Sequence, residues 1–277
     1  MKLLSSPLTL TGALLLLMHL NSFGQKLPSE QKEGVYAPAN IKIDGKPIEW
    51  TGKFQAKNSA TLLTYVMAND EQNLYLTIQA DQTPALGKIF YDGISLVIKS
   101  RKDKKLKPVK MTYPLVSITE RSNIVIPLRD KNKNTDSVVA MVNDQLSRSA
   151  KKILVDGIAD ITDPDVSVYN EVGLKAAVMV DNTRTMTFEY LLPLKYIQHL
   201  MDENGSFDYS IVVNGAKLNP GDMVVAGSSV SGGGGGGGAT FSSGGGSLGA
   251  MTISVSAVGG DIFSPTDLKA TYTLAKK

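Results

Sequence analysis

Apolar and polar residues alternate one by one through segment after segment of this 277-residue chain, and turn formers interrupt them about every ten residues. The alternation is cleanest around residues 66–80. There Leu74, Leu76, Ile78 and Ala80 fall on one side of an extended strand, and Tyr75, Thr77 and Gln79 on the other. The sequence ANDEQN, residues 68–73, supplies a turn back into LLTYVM, so the expectation is a hairpin with one buried face. The same period marks Ile94, Leu96 and Ile98; Ile124 and Ile126; and Val172, Leu174, Ala176, Val178 and Val180. It returns in Met186, Phe188 and Tyr190; Phe207, Tyr209, Ile211 and Val213; Met251, Ile253, Val255 and Ala257; and Tyr272 with Leu274. Many short strands joined by turns predict an all-β fold, an antiparallel β-sandwich of jelly-roll type.

Helical signals are few. PLKYIQHLMDENG opens on Pro193, places Leu194, Ile197, Leu200 and Met201 on one helical face, and closes on Gly205, which predicts one short helix. Residues 137–150 set Val138, Val139, Val142 and Leu146 at helical spacing, a pattern that a strand or an irregular excursion fits nearly as well.

The N-terminal stretch has Lys2, a largely apolar run over residues 8–20, and Ser22-Phe23-Gly24, a small-any-small site. That is the form of a cleaved secretory signal, residues 1–24, which leaves residues 25–277 as a single β domain, periplasmic or secreted. The run is too short and too interrupted to cross a bilayer, and no other segment is long enough. Absence of cysteine removes disulfides, thiolate metal sites, thiol nucleophiles and the lipid-bearing cysteine of a lipoprotein. With 29 basic and 26 acidic residues the charge is nearly balanced. The one dense basic cluster, residues 99–110, has no interleaved aromatics to stack bases, so it reads as a solvated hairpin loop and nucleic acid is not an expected partner. Residues 227–249 hold seven consecutive glycines, Gly232 to Gly238, and a second run from Gly244 to Gly246. No Lys-Ser or Lys-Thr follows them, as a phosphate cradle would require, and the expectation is a long flexible hairpin loop inside the domain.

Six landmarks occur in order: IKIDGKPIEW (residues 41–50), YVMANDEQNLYLTIQ, IFYDGISLVIK, YNEVGLKAAVMVD, FEYLLPLKYI and FSPTDLKATYTLA. Together they resemble the secreted bacterial β-sandwich domains grouped with family 9 carbohydrate-binding modules and the wider DOMON-like fold. The resemblance implies a non-catalytic module or accessory domain exported from a bacterial cell, with a glycan or a cell-envelope component as partner. Members of that group clamp a pyranose between two aromatic rings. Trp50, the only tryptophan, matches the structural tryptophan of the DG…EW motif and is expected to turn inward with Ile48 after the Asp44-Gly45 turn. The clamp would then fall to tyrosines, with Tyr65, Tyr75, Tyr91, Tyr113 and Tyr169 available. The alternative is a structural or interaction protein of the envelope.

Some DOMON-like domains hold haem through methionine with histidine or lysine, for which Met67, Met111 and Met179 are the strand methionines. A methionine in a strand is more often core filler. His199 is the one histidine beyond the leader and falls on the expected helix; it has no cysteines and no Gly-x-Ser-x-Gly elbow to work with. Glu49, Glu120, Glu171 and Glu189 are the carboxylates that a glycosidase pair would need, and their spacing singles out no two of them, so no catalytic constellation is expected. Glu189, between Phe188 and Tyr190, is expected to face solvent or to close a buried polar pair. Asp156, Asp160, Asp163, Asp165 and Glu171 offer hard oxygen ligands, and calcium on Asp163 and Asp165 is the one candidate metal site. TDPD, residues 162–165, is also simply a good turn.

Overall fold

The computed structural model describes residues 26–117, 120, 135–216 and 262–277. The leader, the Ile124/Ile126 strand, the glycine-rich stretch 227–249 and the strand expected at Met251 to Ala257 lie outside them.

The described residues are mostly strand. One sheet contains β1 (Val35–Tyr36), β2 (Ala56–Asn58), β3 (Leu63–Asn69), β4 (Asn73–Ala80), β9 (Lys175–Val180) and β10 (Met186–Pro193). Its order is β1-β3-β4-β10-β9, with β2 also paired to β3; β1 runs parallel to β3 and every other pairing is antiparallel. The other sheet contains β5 (Ile94–Lys99), β6 (Val109–Leu115), β7 (Lys152–Asp156), β8 (Asp165–Ser167), β11 (Ser206–Val213) and β12 (Thr266–Thr273). It is antiparallel throughout, in the order β12-β11-β5-β6-β7-β8.

Register explains which side chains meet. Across the first sheet, Tyr65, Ile78, Phe188 and Val178 form one row, and Met67, Leu76, Tyr190 and Ala176 another. Across the second, Val155, Met111, Leu96 and Ile211 line up in the same way. These rows, with Tyr113, Phe207, Tyr209 and Tyr272, share one apolar core. Hydroxyls bridge the sheets within it. Tyr65 and Tyr209 hydrogen-bond at 3.0 Å, and the Tyr190 hydroxyl reaches the carbonyls of Tyr113 (2.7 Å) and Ile94 (3.1 Å). Burial raises the pKa of all three phenols, so they serve as neutral hydrogen-bonding core residues.

Two α-helices occur among the described residues. The first, α1 (Thr83–Asp92), was not expected from the alternation; it buries Ala85, Leu86, Ile89 and Phe90, and the carbonyl of Ile89 accepts the Gly93 amide at its end. The second, α2 (Thr135–Ser149), settles the two readings of residues 137–150 in favour of helix and buries Val139, Val142 and Leu146. Asn143 on α2 bonds both backbone groups of Val180 in β9, accepting its amide and donating to its carbonyl. Gln31 treats Met67 of β3 identically, at 2.8 and 2.7 Å.

The helix expected from Pro193 to Gly205 does not form. Pro193 ends β10, and two 3₁₀ turns follow, Leu194–Tyr196 and Gln198–Leu200. Ile197 leaves helical geometry at φ −123°, ψ −1°, and Gly205, at φ 73°, belongs to the Asp202–Ser206 turn that enters β11. Leu194, Tyr196, Ile197 and Leu200 are all buried, so tertiary burial rather than helical periodicity spaces these residues.

Candidate functional site

A fully buried carboxyl group sits on the outer face of the first sheet. Along β10 the side chains of Phe188 and Tyr190 enter the core, so Thr187, Glu189 and Leu191 point the other way. The row through Glu189 reads Val66, Thr77, Glu189, Ala177, and the next reads Ala68, Tyr75, Leu191, Lys175. This face is not open to water. A strap of residues 41–54 crosses it, so the hairpin β3–β4 is buried on both faces rather than one; Tyr75 and Thr77 are buried beneath the strap side.

Local chemistry shapes the strap. Gly45 adopts φ +80°, and a Cβ there would stand 2.7 Å from Cβ of Met179 and 2.8 Å from the carbonyl carbon of Val178, so only glycine fits. The Asp44 carboxylate accepts the Lys46 amide at 2.9 Å and tightens the turn. Pro47 then opens a 3₁₀ turn, Pro47–Trp50, that drives the indole down. Trp50 is 0% exposed and packs with Ala37, Val66, Ala68 and Tyr75, flanked by Ile41, Ile43, Phe54 and Leu191. The tryptophan is therefore structural, but it belongs to a separate cluster outside the sheet and not to the core between the sheets. Ile48 does not turn inward with it: one 3₁₀ turn cannot point both residues down, and Ile48 is 71% exposed.

Glu189 fastens this strap. One carboxyl oxygen accepts the amides of Gly45 at 2.7 Å and Asp44 at 2.9 Å. The side chain is 0% exposed, so it neither faces solvent nor closes a side-chain pair; its partners are backbone. Its other oxygen, Oε1, is buried without a hydrogen-bond partner, as is Nε1 of Trp50. Burial pushes the Glu189 pKa up to about 7, against the pull of the two amides, with the negative charges of Asp44 and Glu49 adding to the rise. The sequence named both residues but did not bring them together. The available signal was a glutamate in the middle of an apolar strand, which is rarely buried unless paired.

No protein-family model matches the chain, and no curated protein matches it at a significant level.

Tyr65 and Tyr113 are buried in the core, Tyr75 is buried beneath the strap, and Tyr91 is half-buried. Tyr169 differs. It is 80% exposed and lies between β8 and β9 on a loop that bonds to itself. Its amide donates to Ser167 Oγ at 3.2 Å; Asn170 Nδ2 donates to the carbonyls of Ser167 and Leu174, each at 2.7 Å; and Asn170 Oδ1 accepts the Gly173 amide at 3.1 Å. The Tyr196 hydroxyl anchors the Val172 carbonyl from below at 2.9 Å.

Asp163 and Asp165 lie exposed just before this loop. Asp163 accepts the Asp165 amide at 3.0 Å, closing the TDPD turn, and Asp165 pairs with Lys152 at 3.2 Å. Asp156 pairs with Lys107 at 2.6 Å. Among the described residues no group of three or more His, Cys, Asp or Glu is gathered as a metal site. His199 is exposed on the second 3₁₀ turn, Met67 and Met111 are buried in the core, and Met179 lies under Gly45. Glu49 accepts the Lys42 amide, Glu120 accepts the Ser117 hydroxyl, and Glu171 is exposed. The basic loop between β5 and β6 is exposed, with Arg101 paired to Asp202 and Asp208 and Lys102 to Glu203. No helix among the described residues is long and apolar enough to cross a membrane.

Proposed function

We propose that the chain is an exported, non-catalytic β-sandwich that binds glycan through Tyr169, an accessory module similar in kind to the carbohydrate-binding domains its landmarks resemble. The two strand-rich layers with a shared apolar core support the sandwich, and the signal-like N-terminus supports export. The exposed ring on a self-bonded loop carries the binding reading. Such a ring offers a flat apolar face to sugar C–H groups and a hydroxyl to sugar oxygens, and the loop has already lost the freedom that binding would otherwise remove.

Retention on insoluble polysaccharides and a glycan array, run with and without calcium, tests this reading. Tyr169→Ala is expected to abolish retention while leaving the melting curve unchanged, and the calcium arm reports whether Asp163 and Asp165 take part. An array without hits, together with a stable protein partner recovered from envelope extracts, would replace the glycan module with an envelope interaction protein.

A further inference from the structure

We propose that Glu189 is the pin of a pH-gated clasp: the strap of residues 41–54 closes over the first sheet when this carboxyl is protonated and loosens when it ionises. The inference goes beyond glycan binding and does not depend on it.

The geometry is asymmetric. Two strap amides converge on a single oxygen, while the second oxygen is buried with nothing to bond. In the acid form that second oxygen is a neutral hydroxyl, and the first still accepts both amides. In the ionised form a full charge is buried with one oxygen bare, which is far more costly than an unbonded neutral group. Beyond the two amides, the surroundings offer the charge no compensation. On the two neighbouring strands the residues beside Glu189 are Thr77 and Ala177, and along its own strand Thr187 and Leu191, none of them charged. Lys175 lies one row further on, in the row of Leu191, and is exposed. The strap itself contributes Asp44 and Glu49, both negative, and its lysines 42, 46 and 53 are exposed. No cation among the described residues pairs with Glu189.

Release of the strap has a defined consequence. It bares the strap's own Trp50 and uncovers Val66, Ala68, Tyr75 and Leu191, the apolar patch that the strap now hides. The remaining strap contacts are apolar or belong to its own turn, so the Glu189 carboxyl is the polar fastening that pH can alter.

Trp50 is the only tryptophan of the chain, which makes it a built-in reporter. Its emission maximum and its quenching by acrylamide, followed in the full chain from about pH 5 to about pH 9, test the clasp. The expected result is a red shift and a several-fold rise in quenching with a midpoint between about 5 and about 7, while the far-ultraviolet dichroism of the sheets stays constant. Glu189→Gln, a permanently neutral isostere, is expected to give a flat profile. A flat profile in the unaltered protein, or the same transition in Glu189→Gln, overturns the proposal. If Glu189→Gln does not fold, Glu49→Gln decides the matter: it keeps the strap but removes one neighbouring negative charge. Its midpoint must move to lower pH, and an unmoved midpoint also overturns the clasp.

Discussion

The two faces of the first sheet are built to different standards. Towards the core, every buried phenol named above has a partner: Tyr65 bonds Tyr209, Tyr190 bonds two carbonyls, and Tyr113 donates to the Ala150 carbonyl at 3.2 Å. Beneath the strap, the indole nitrogen of Trp50 and one oxygen of Glu189 are buried with none. A fully paired polar network in a low-dielectric interior is rigid and specifies one arrangement, whereas unmatched groups hold free energy in reserve. The inner face thus fixes the fold, and the outer face is where a small chemical change can act.

The largest expected effect tests the inner face. Phe188→Ala should cost about 3–5 kcal/mol in a urea melt and lower the whole unfolding transition, because it opens a cavity between the sheets. If only the strap loosened, the division between the faces would be broken. Next comes pH. The folded-state pKa of Glu189 is raised, so its contribution is complete below the ordinary value of 4.5 and is lost as pH rises towards about 7. Over that window stability should fall by on the order of 3 kcal/mol, and a denaturation series at constant ionic strength would show it. A flat or rising curve there would mean that the outer carboxyl is as well compensated as the inner phenols. Gly45→Ala should cost about 2 kcal/mol through its φ of +80° and the contact with Met179, and hydrogen exchange should show protection lost first at Asp44 and Gly45. The smallest effect sharpens the contrast most. Trp50→Phe loses ring area but also removes the unpaired N–H, so thermal melts should place it within about 1 kcal/mol of the parent, well below the cost of a comparable truncation in the core.

Strands were legible where a two-residue period survives: β3, β4, β5, β10 and β11 fall where the alternation puts them, β9 begins three residues after Val172, and β12 contains Tyr272 but ends before Leu274. Helix α1 was hidden by its length and by Gly87, and its IFYD end reads equally as strand. The Pro193–Gly205 pattern misled for the opposite reason: helical spacing was present, but only seven residues separate the end of β10 from Met201, and each apolar side chain finds the core from a 3₁₀ turn. At the outer face, the glycine and proline of IDGKPIEW did announce a turn, and Trp50 was rightly assigned to the scaffold. The sequence carried no sign that Glu189, 144 residues beyond Gly45, would hold that turn, because backbone amides as partners leave no mark in side-chain pattern. Tyr169 could be named only as one of five tyrosines, since exposure at a loop depends on what packs around it.

Gln31 has a consequence for how copies of this chain meet. The outward-facing groups of β3 are taken in succession: the Tyr65 carbonyl by the Gln55 amide, both groups of Met67 by the Gln31 carboxamide, and the Asn69 carbonyl by the Ala37 amide. An extended peptide from a neighbouring molecule finds no rung on which to begin a ladder there. One side-chain amide does the work of a missing strand residue and closes to an incoming strand the stretch of β3 that β1 and β2 leave between them.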